Sequence, residues 1–243
     1  MILAWWNGLT LPDNIVRIDP DDAGFLYGDG LFETLRVDHG QALDVEAHLD
    51  RLFAGFPRIG IDIPEDREML ERGIAAVAEQ APRPVSRLRI TVTHGAGAEP
   101  TRLIRAVPYS PPGEGMYRNG VPVILLPDFR VDSQSPLAGL KSLCYQMNRL
   151  ALLRAEAAGA FDALLLNERG LLAGGSRSNV ILTLPDGVFT PPLADGCLPG
   201  TVRRRLLEKG KVVERSLTPE DLENAREVFL TNSLIGVLRA LTP

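Results

Sequence analysis

Four stretches of this chain carry side chains that could do chemistry. In AGLKSLCYQMN, Lys141 sits among Leu140, Leu143 and Cys144. Burying an ammonium is costly unless its pKa falls or it forms a covalent bond, and a desolvated lysine amine is a nucleophile for carbonyl groups. A lysine that merely snorkels before a helix would look the same. In CLPGTVRRRLLE, Leu-Pro-Gly-Thr leads into a helix, so Thr201 and Val202 would present N–H groups at its positive end, where phosphate binds. A plain N-cap is the ordinary alternative. In EVFLTNSLIGV, a strand ends in Thr231, Asn232 and Ser233, polar side chains that serve either a ligand or a turn. In EAHLDRLFAGF, Arg51 lies beside an apolar helical stripe, as a solvated arginine or as a planar fork for phosphate. Each stretch has an ordinary structural explanation. Together they describe a lysine for an aldehyde and three donors for a phosphate.

Strands and helices must hold these residues. Asn7-Gly8 in AWWNGLTL signals a type I′ hairpin. LFETLRV (31–37), a His39-Gly40 turn and a short strand over 42–45 follow. Leu49, Leu52, Phe53 and Phe56 form a helical stripe that Pro57 ends. Pro64 opens a second helix with Leu70, Ile74, Val77 and Ala81 on its buried face, and RLRITVTH alternates as a strand. PYSPPGEGMYRNG (108–120) has no periodicity and reads as a linker. Beyond it the spacing predicts strands at 121–126, 163–166, 180–184, 211–215 and 227–231. It predicts helices at 145–158, with Leu150, Leu153 and Ala157 on one face, at 200–209, and from Thr218-Pro219. The expected architecture is α+β in two subdomains: 1–107, then the 108–120 linker, then a 121–243 subdomain of α/β character carrying Lys141.

Composition narrows the class. The 243 residues are 45% hydrophobic and 23% charged, in the range of ordinary globular proteins. A net charge of −5 without a basic stripe argues against nucleic-acid binding, and Arg203, Arg204 and Arg205 read as a solvated helix face. No apolar run reaches membrane-span length, and the apolar N-terminus lacks the basic flank of a signal peptide. Two cysteines without metal-ligand spacing suggest a reducing, cytoplasmic setting and no metal.

The blocks GFLYGDGLFETLRV, HLDRLFAGF, LKSLCYQMNRLALLRAEA, FDALLLNERGLLAGGSRSNV, CLPGTVRR and EVFLTNSLIGV, running from about residue 24 to residue 238, resemble the successive motifs of fold-type IV pyridoxal-phosphate enzymes. That family includes branched-chain and D-amino-acid aminotransferases and aminodeoxychorismate lyase. The resemblance implies pyridoxal 5′-phosphate as cofactor, bonded through its aldehyde to Lys141, which also carries the substrate Cα proton. It implies that Arg51, Thr201, Val202 and Ser233 meet the phosphate, with Asn232 beside them and Tyr145 near the ring oxygen. It places Phe32, Thr34 and Arg36 on a strand facing the substrate. It also implies a homodimer acting on a small amino substrate.

Two positions depart from the family pattern. Gly174 stands where relatives carry the glutamate that keeps the pyridine nitrogen protonated, which weakens the ring as an electron sink. Glu168 falls in a hairpin turn and is a poor replacement, while Ser176 could donate to an unprotonated nitrogen. His94 stands where relatives often have an arginine for the substrate carboxylate, and Arg177 could supply that charge or be a surface residue. Lys-Ser-Leu at Lys141, Asn-Ser-Leu at Asn232 and the short chain resemble the lyase, which releases pyruvate and p-aminobenzoate for folate biosynthesis. An aminotransferase is the alternative, and a catalytically weakened homologue that keeps the cofactor is a third.

Overall fold

The computed structural model describes residues 3–12, 15–63 and 66–241, and within it the chain forms two compact units. The first comprises Met1–Pro111 together with Leu140–Cys144, and the second Pro112–Gly139 with Tyr145–Pro243.

The first unit is a six-stranded sheet with helices on one face. Its strands are β1 (Leu3–Trp6), β2 (Leu9–Pro12), β3 (Gly30–Asp38), β4 (Gln41–Ala42), β5 (Val85–Thr93) and β6 (Thr101–Pro108), in the order β2-β1-β6-β5-β3-β4. Asn7-Gly8 and His39-Gly40 make the two tight turns, and all four residues have positive φ, as a type I′ turn requires. A short helix, α1 (Ala23–Tyr27), precedes β3, and α2 (Val45–Gly55) and α3 (Asp66–Glu79) cover the sheet. Leu31, Leu35 and Val37 of β3 join Leu88, Ile90 and Val92 of β5, and Leu49, Leu52, Leu70, Ile74 and Val77 of the helices, in one core. Pairing of Phe32 with Thr91 and of Thr34 with Arg89 puts those side chains on the opposite face. Pro57 does not stop the chain from coiling: a 3₁₀ turn spans Phe56–Ile59. Pro64 lies outside the described residues.

The second unit contains an eight-stranded sheet. Its strands are β7 (Val121–Val131), β8 (Asp162–Asn167), β9 (Leu172–Gly175), β10 (Asn179–Leu184), β11 (Gly187–Thr190), β12 (Val213–Glu214), β13 (Glu227–Asn232) and β14 (Gly236–Leu241), ordered β12-β11-β10-β13-β14-β7-β8-β9. The 108–120 stretch is not merely a linker, because α4 (Glu114–Asn119) forms in it and packs on β14. α5 (Gln146–Ala157) connects the parallel pair β7 and β8. It buries Ala151 and Ala155, whereas Leu150 and Leu153 are 43% and 42% exposed. The expected leucine face is therefore turned out, since close helix–sheet packing selects the small residues. α6 (Thr201–Glu208) and α7 (Pro219–Glu223) complete the unit, the latter started by a capping box between Thr218 and Asp221.

The division differs from the expected one most at Lys141. Residues 140–144 belong with the first unit although their chain neighbours belong with the second. The reason is an open sheet edge. β4 pairs only with Val37 and Asp38, leaving the start of β3 without a partner on that side. The Lys141 segment fills the gap: Phe32 donates its N–H to the Lys141 carbonyl and Leu143 to the Gly30 carbonyl, each at 2.9 Å, with a bridge between Leu31 and Ser142.

Candidate active site

In the first unit the edge pairing sets Lys141 beside Phe32. The Lys141 Nζ stands 4.5 Å from the centroid of the Phe32 ring, and the Arg89 guanidinium carbon 3.8 Å from it. Desolvation pushes the Lys141 amine down to about 8, helped by the positive charges of Arg51 and Arg89 and opposed by Glu33. The amine is thus brought close to neutral pH, where it can act as nucleophile or base.

A buried ionic cluster lies beside it. Glu33 is fully buried on β3 and accepts two hydrogen bonds from Arg51, Nε to Oε1 and Nη2 to Oε2, both 2.7 Å. The second partner is His48 of α2, whose Nδ1 is 2.7 Å from Oε2. Burial alone would raise the Glu33 carboxyl, but Arg51 and His48 together hold it down at about 2. Because that carboxylate is ionised and can only accept, His48 must donate through Nδ1. Its Nε2 is buried without a hydrogen-bond partner among the described residues.

Neither Glu33 nor His48 nor Arg89 was among the expected site residues. The signal for Glu33 was present: it shares the inward period of Leu31, Leu35 and Val37, where a lone charge must find partners. Other expected residues lie apart from this cluster. Arg36 reaches Asp38 at 3.3 Å near the far end of β3, and Thr34 sits between. His94 Nδ1 lies 2.7 Å from Asp29 Oδ2, without the geometry of a hydrogen bond.

The second unit arranges its candidates around a loop and a helix start. Gly174 follows a bulge in the β8–β9 ladder, where pairing shifts between Leu165 and Leu166. Its φ of +145° is a conformation side-chain-bearing residues rarely adopt. A carboxylate side chain there would need a different backbone, so the departure at this position is built into the fold. Next to it, Asp162 is fully buried and gathers the loop, accepting from Ser176 N–H at 3.0 Å, Ser178 Oγ at 2.7 Å and the Ser176 hydroxyl. Its burial pushes its carboxyl up. Ser176 is therefore committed to Asp162.

Asn179 links this loop to α6. Its amide donates to the Leu198 carbonyl at 2.8 Å, and its Oδ1 packs so closely on Gly200 that a Cβ there would collide with it. Gly200 has an extended backbone, and Thr201 and Val202 follow, both buried, as the first residues of α6. On β13, Thr231 pairs across from Asn179. Its hydroxyl is buried and has no partner among the described residues. Asn232 donates to the Arg177 carbonyl at 3.1 Å and accepts from the N–H groups of Leu234 and Ile235, with Ser233 in the turn that follows. The Arg177 guanidinium stacks 4.5 Å from the Phe161 ring and donates to its carbonyl. Tyr145 stands at the N-cap position of α5, with no capping hydrogen bond from its side chain. Arg203 is not on a solvated face: it is 3% exposed and held by Glu214 and the Pro191 carbonyl. Glu168, in the turn after β8, accepts from the Ser133 N–H and hydroxyl.

The donor set fits pyridoxal phosphate chemically. A desolvated primary amine suits an aldehyde, a guanidinium and a glycine-led helix start suit a phosphate, and an unpaired buried hydroxyl has hydrogen-bonding capacity to offer. Among the described residues no cluster of His, Cys, Asp or Glu could hold a metal ion, and no described helix is long and apolar enough to cross a membrane.

Comparison with known proteins agrees. The amino-transferase class IV family model matches residues 30–241. A putative branched-chain-amino-acid aminotransferase of Methanocaldococcus jannaschii is 30% identical over 96% of this chain and 84% of its own length. A bifunctional aminodeoxychorismate lyase / D-amino acid transaminase of Mycobacterium tuberculosis is 30% identical over 97% and 89%. Among solved structures, the PLP-bound form of a hypothetical aminotransferase from Mycobacterium tuberculosis superposes with a TM-score of 0.88 at 28% identity, covering 99% of this chain and 90% of that one. The chain belongs to the class IV aminotransferase family, whose cofactor is pyridoxal phosphate.

Proposed function

We propose that this protein is a 4-amino-4-deoxychorismate lyase, releasing pyruvate and p-aminobenzoate, with Lys141 as the group that bonds the cofactor aldehyde. The desolvated Lys141 amine carries the reading. At neutral pH roughly a tenth of an amine with a pKa near 8 is unprotonated, far more than for an ordinary lysine. Bound pyridoxal phosphate supplies a sink for the electron pair left when the substrate carbon bearing nitrogen loses its proton. Lys141 accepts that proton and returns one to the departing enolpyruvyl group, which leaves as pyruvate while the ring becomes aromatic. Arg51, Thr201 and Val202 are the proposed phosphate donors, with Ser233 and Asn232 supporting them. Phe32 shields the amine from water, and Tyr145 is assigned to the cofactor ring oxygen. Thr34, Arg36, His94 and Arg177 are assigned to the substrate, although Arg36 and Arg177 already have partners in the structure.

Lyase over transaminase rests on LKSLCYQMN and TNSL, and on a relative that carries the lyase name. Aromatisation supplies a thermodynamic pull that compensates for a ring nitrogen lacking its usual carboxylate at Gly174. The transaminase reading keeps support from the same relative's second name and from the branched-chain relative. The decisive experiment measures pyruvate release from aminodeoxychorismate against keto-acid formation from branched-chain and D-amino acids. Pyruvate release at least tenfold faster supports the lyase, and the reverse ratio replaces it with the transaminase. No turnover of any donor, with the cofactor still covalently held, identifies a weakened homologue. The reading includes a homodimer in the cytoplasm, and sedimentation of the holoenzyme tests the dimer.

A further inference from the structure

Lysine chemistry explains Lys141, but not why a fully buried glutamate should sit two hydrogen bonds deep against Arg51. A buried ion pair is a poor way to gain stability, because desolvating both charges cancels much of their attraction. Such a pair is better explained by what it fixes in place. The guanidinium is planar, and Glu33 engages one complete edge of it, Nε and Nη2, at 2.7 Å each. That contact settles both the rotation of the plane and the direction in which the far end of the fork, Nη1 and the outer hydrogen of Nη2, is presented. The carboxylate is in turn fixed from behind by His48 Nδ1 and by the β3 backbone, which pairs with β5 along its whole length.

We infer that Glu33 is a positioning residue for Arg51: it orients the guanidinium for an incoming phosphate, with His48 as its buttress. The inference rests on the proposed role of Arg51 toward the cofactor phosphate and adds the residue on which that role depends. An unsupported arginine loses rotamer freedom when an anion binds, whereas one already locked by Glu33 has lost that freedom on folding. Orientation therefore appears as affinity for phosphate and not as affinity for the rest of the cofactor.

The test compares binding of pyridoxal phosphate with binding of pyridoxal, which lacks the phosphate, by absorbance titration of the wild type, Arg51→Met, Glu33→Gln, Glu33→Asp and the Glu33→Gln/Arg51→Met double variant. We expect Glu33→Gln to cut the preference for pyridoxal phosphate over pyridoxal about tenfold or more, since a change at the Lys141 amine acts on both ligands alike and cancels in that ratio. Glu33→Asp, which keeps the charge but shortens the reach, loses part of the preference and provides the measurement if the glutamine variant does not fold. The double variant should discriminate no worse than Arg51→Met alone, because Glu33 acts through that arginine. If Arg51→Met keeps the full preference, the role of Arg51 toward phosphate is wrong. If Arg51→Met loses it while both Glu33 variants keep it, that role stands and the inference about Glu33 is overturned. Equal weakening toward both ligands in the Glu33 variants also overturns it, since that is the mark of a general structural role.

Discussion

The two units hold their candidate residues by different means. The first works with charge: a lysine amine, two arginines, a buried glutamate and a histidine surround the start of β3. The second works mainly with neutral donors and with backbone, through Ser176, Ser178, Asn179, Gly200, Thr201 and Thr231, and the buried carboxylate of Asp162 is spent on holding the loop. Charged clusters in a dry setting are strongly coupled, so losing one member changes all the others. Networks of neutral donors fail one bond at a time. Substitutions in the first unit should therefore have larger and more pH-dependent effects than those in the second.

Lys141→Ala is the most severe test. Turnover should fall by at least about 10²- to 10⁴-fold, and intact mass after borohydride reduction should show no cofactor adduct, where the wild type gains one. Next is Glu33. Its carboxyl lies near 2 in the folded protein against an ordinary value of 4.5. A depressed carboxylate contributes stability that is present above the unfolded value and lost as pH falls from about 4.5 through about 2, here roughly 3 kcal/mol. Thermal unfolding of the wild type should therefore weaken steeply across that window, and Glu33→Gln should be less stable at neutral pH but flatter with acid. Equal acid slopes in the two proteins would remove the charge-based half of the contrast.

The lysine provides a complementary measurement. A lowered amine pKa stabilises the fold as pH rises from about 8 toward 10.5, because the unfolded chain still binds the proton that the folded one has released. Timed acetylation of the cofactor-free protein should give a midpoint near 8 for Lys141, and the chain has only three lysines, so peptide mass assigns each site. A midpoint near 10.5 would show that the amine is not desolvated.

Effects in the second unit should be smaller. Gly200→Ala forces a Cβ against Asn179 Oδ1 and should cost about 1–3 kcal/mol of stability, with a loss of pyridoxal phosphate affinity seen by titration. Thr231→Val should have the least effect. It removes a buried hydroxyl with no partner among the described residues, so the cofactor-free protein should melt at the same temperature or up to a few degrees higher. A lower melting temperature would mean that this hydroxyl is satisfied after all.

Much of the first unit was legible in the sequence, because turn chemistry and period-2 alternation are local signals. Asn7-Gly8, His39-Gly40 and the stripe of α2 fall where those rules put them. What was hidden is non-local. No pattern around residue 141 announces that the segment serves as an edge partner for β3, since that depends on β4 being only two residues long. Of the site, Lys141 and Arg51 could be nominated by residue type, and Thr201 by its place after Gly200. Glu33 was readable as a charge at an inward position, yet its partners His48 and Arg51 lie 15 and 18 residues away. Asp162 had no local signal, for a carboxylate at the head of an apolar strand looks like a turn residue. α5 misled because its leucines keep a helical period while its alanines are the residues that fit against the sheet.

The edge pairing of residues 140–144 bears on how the chain is made. A ribosome releases the first 111 residues well before Lys141, and the emerging sheet then has an unsatisfied stretch at Gly30–Phe32. The early part of the protein must wait about thirty residues of synthesis for its own edge to be closed, and the segment that closes it contains Lys141. Closure of this sheet edge and arrival of Lys141 are thereby the same event, so a chain truncated before residue 140 should lack both.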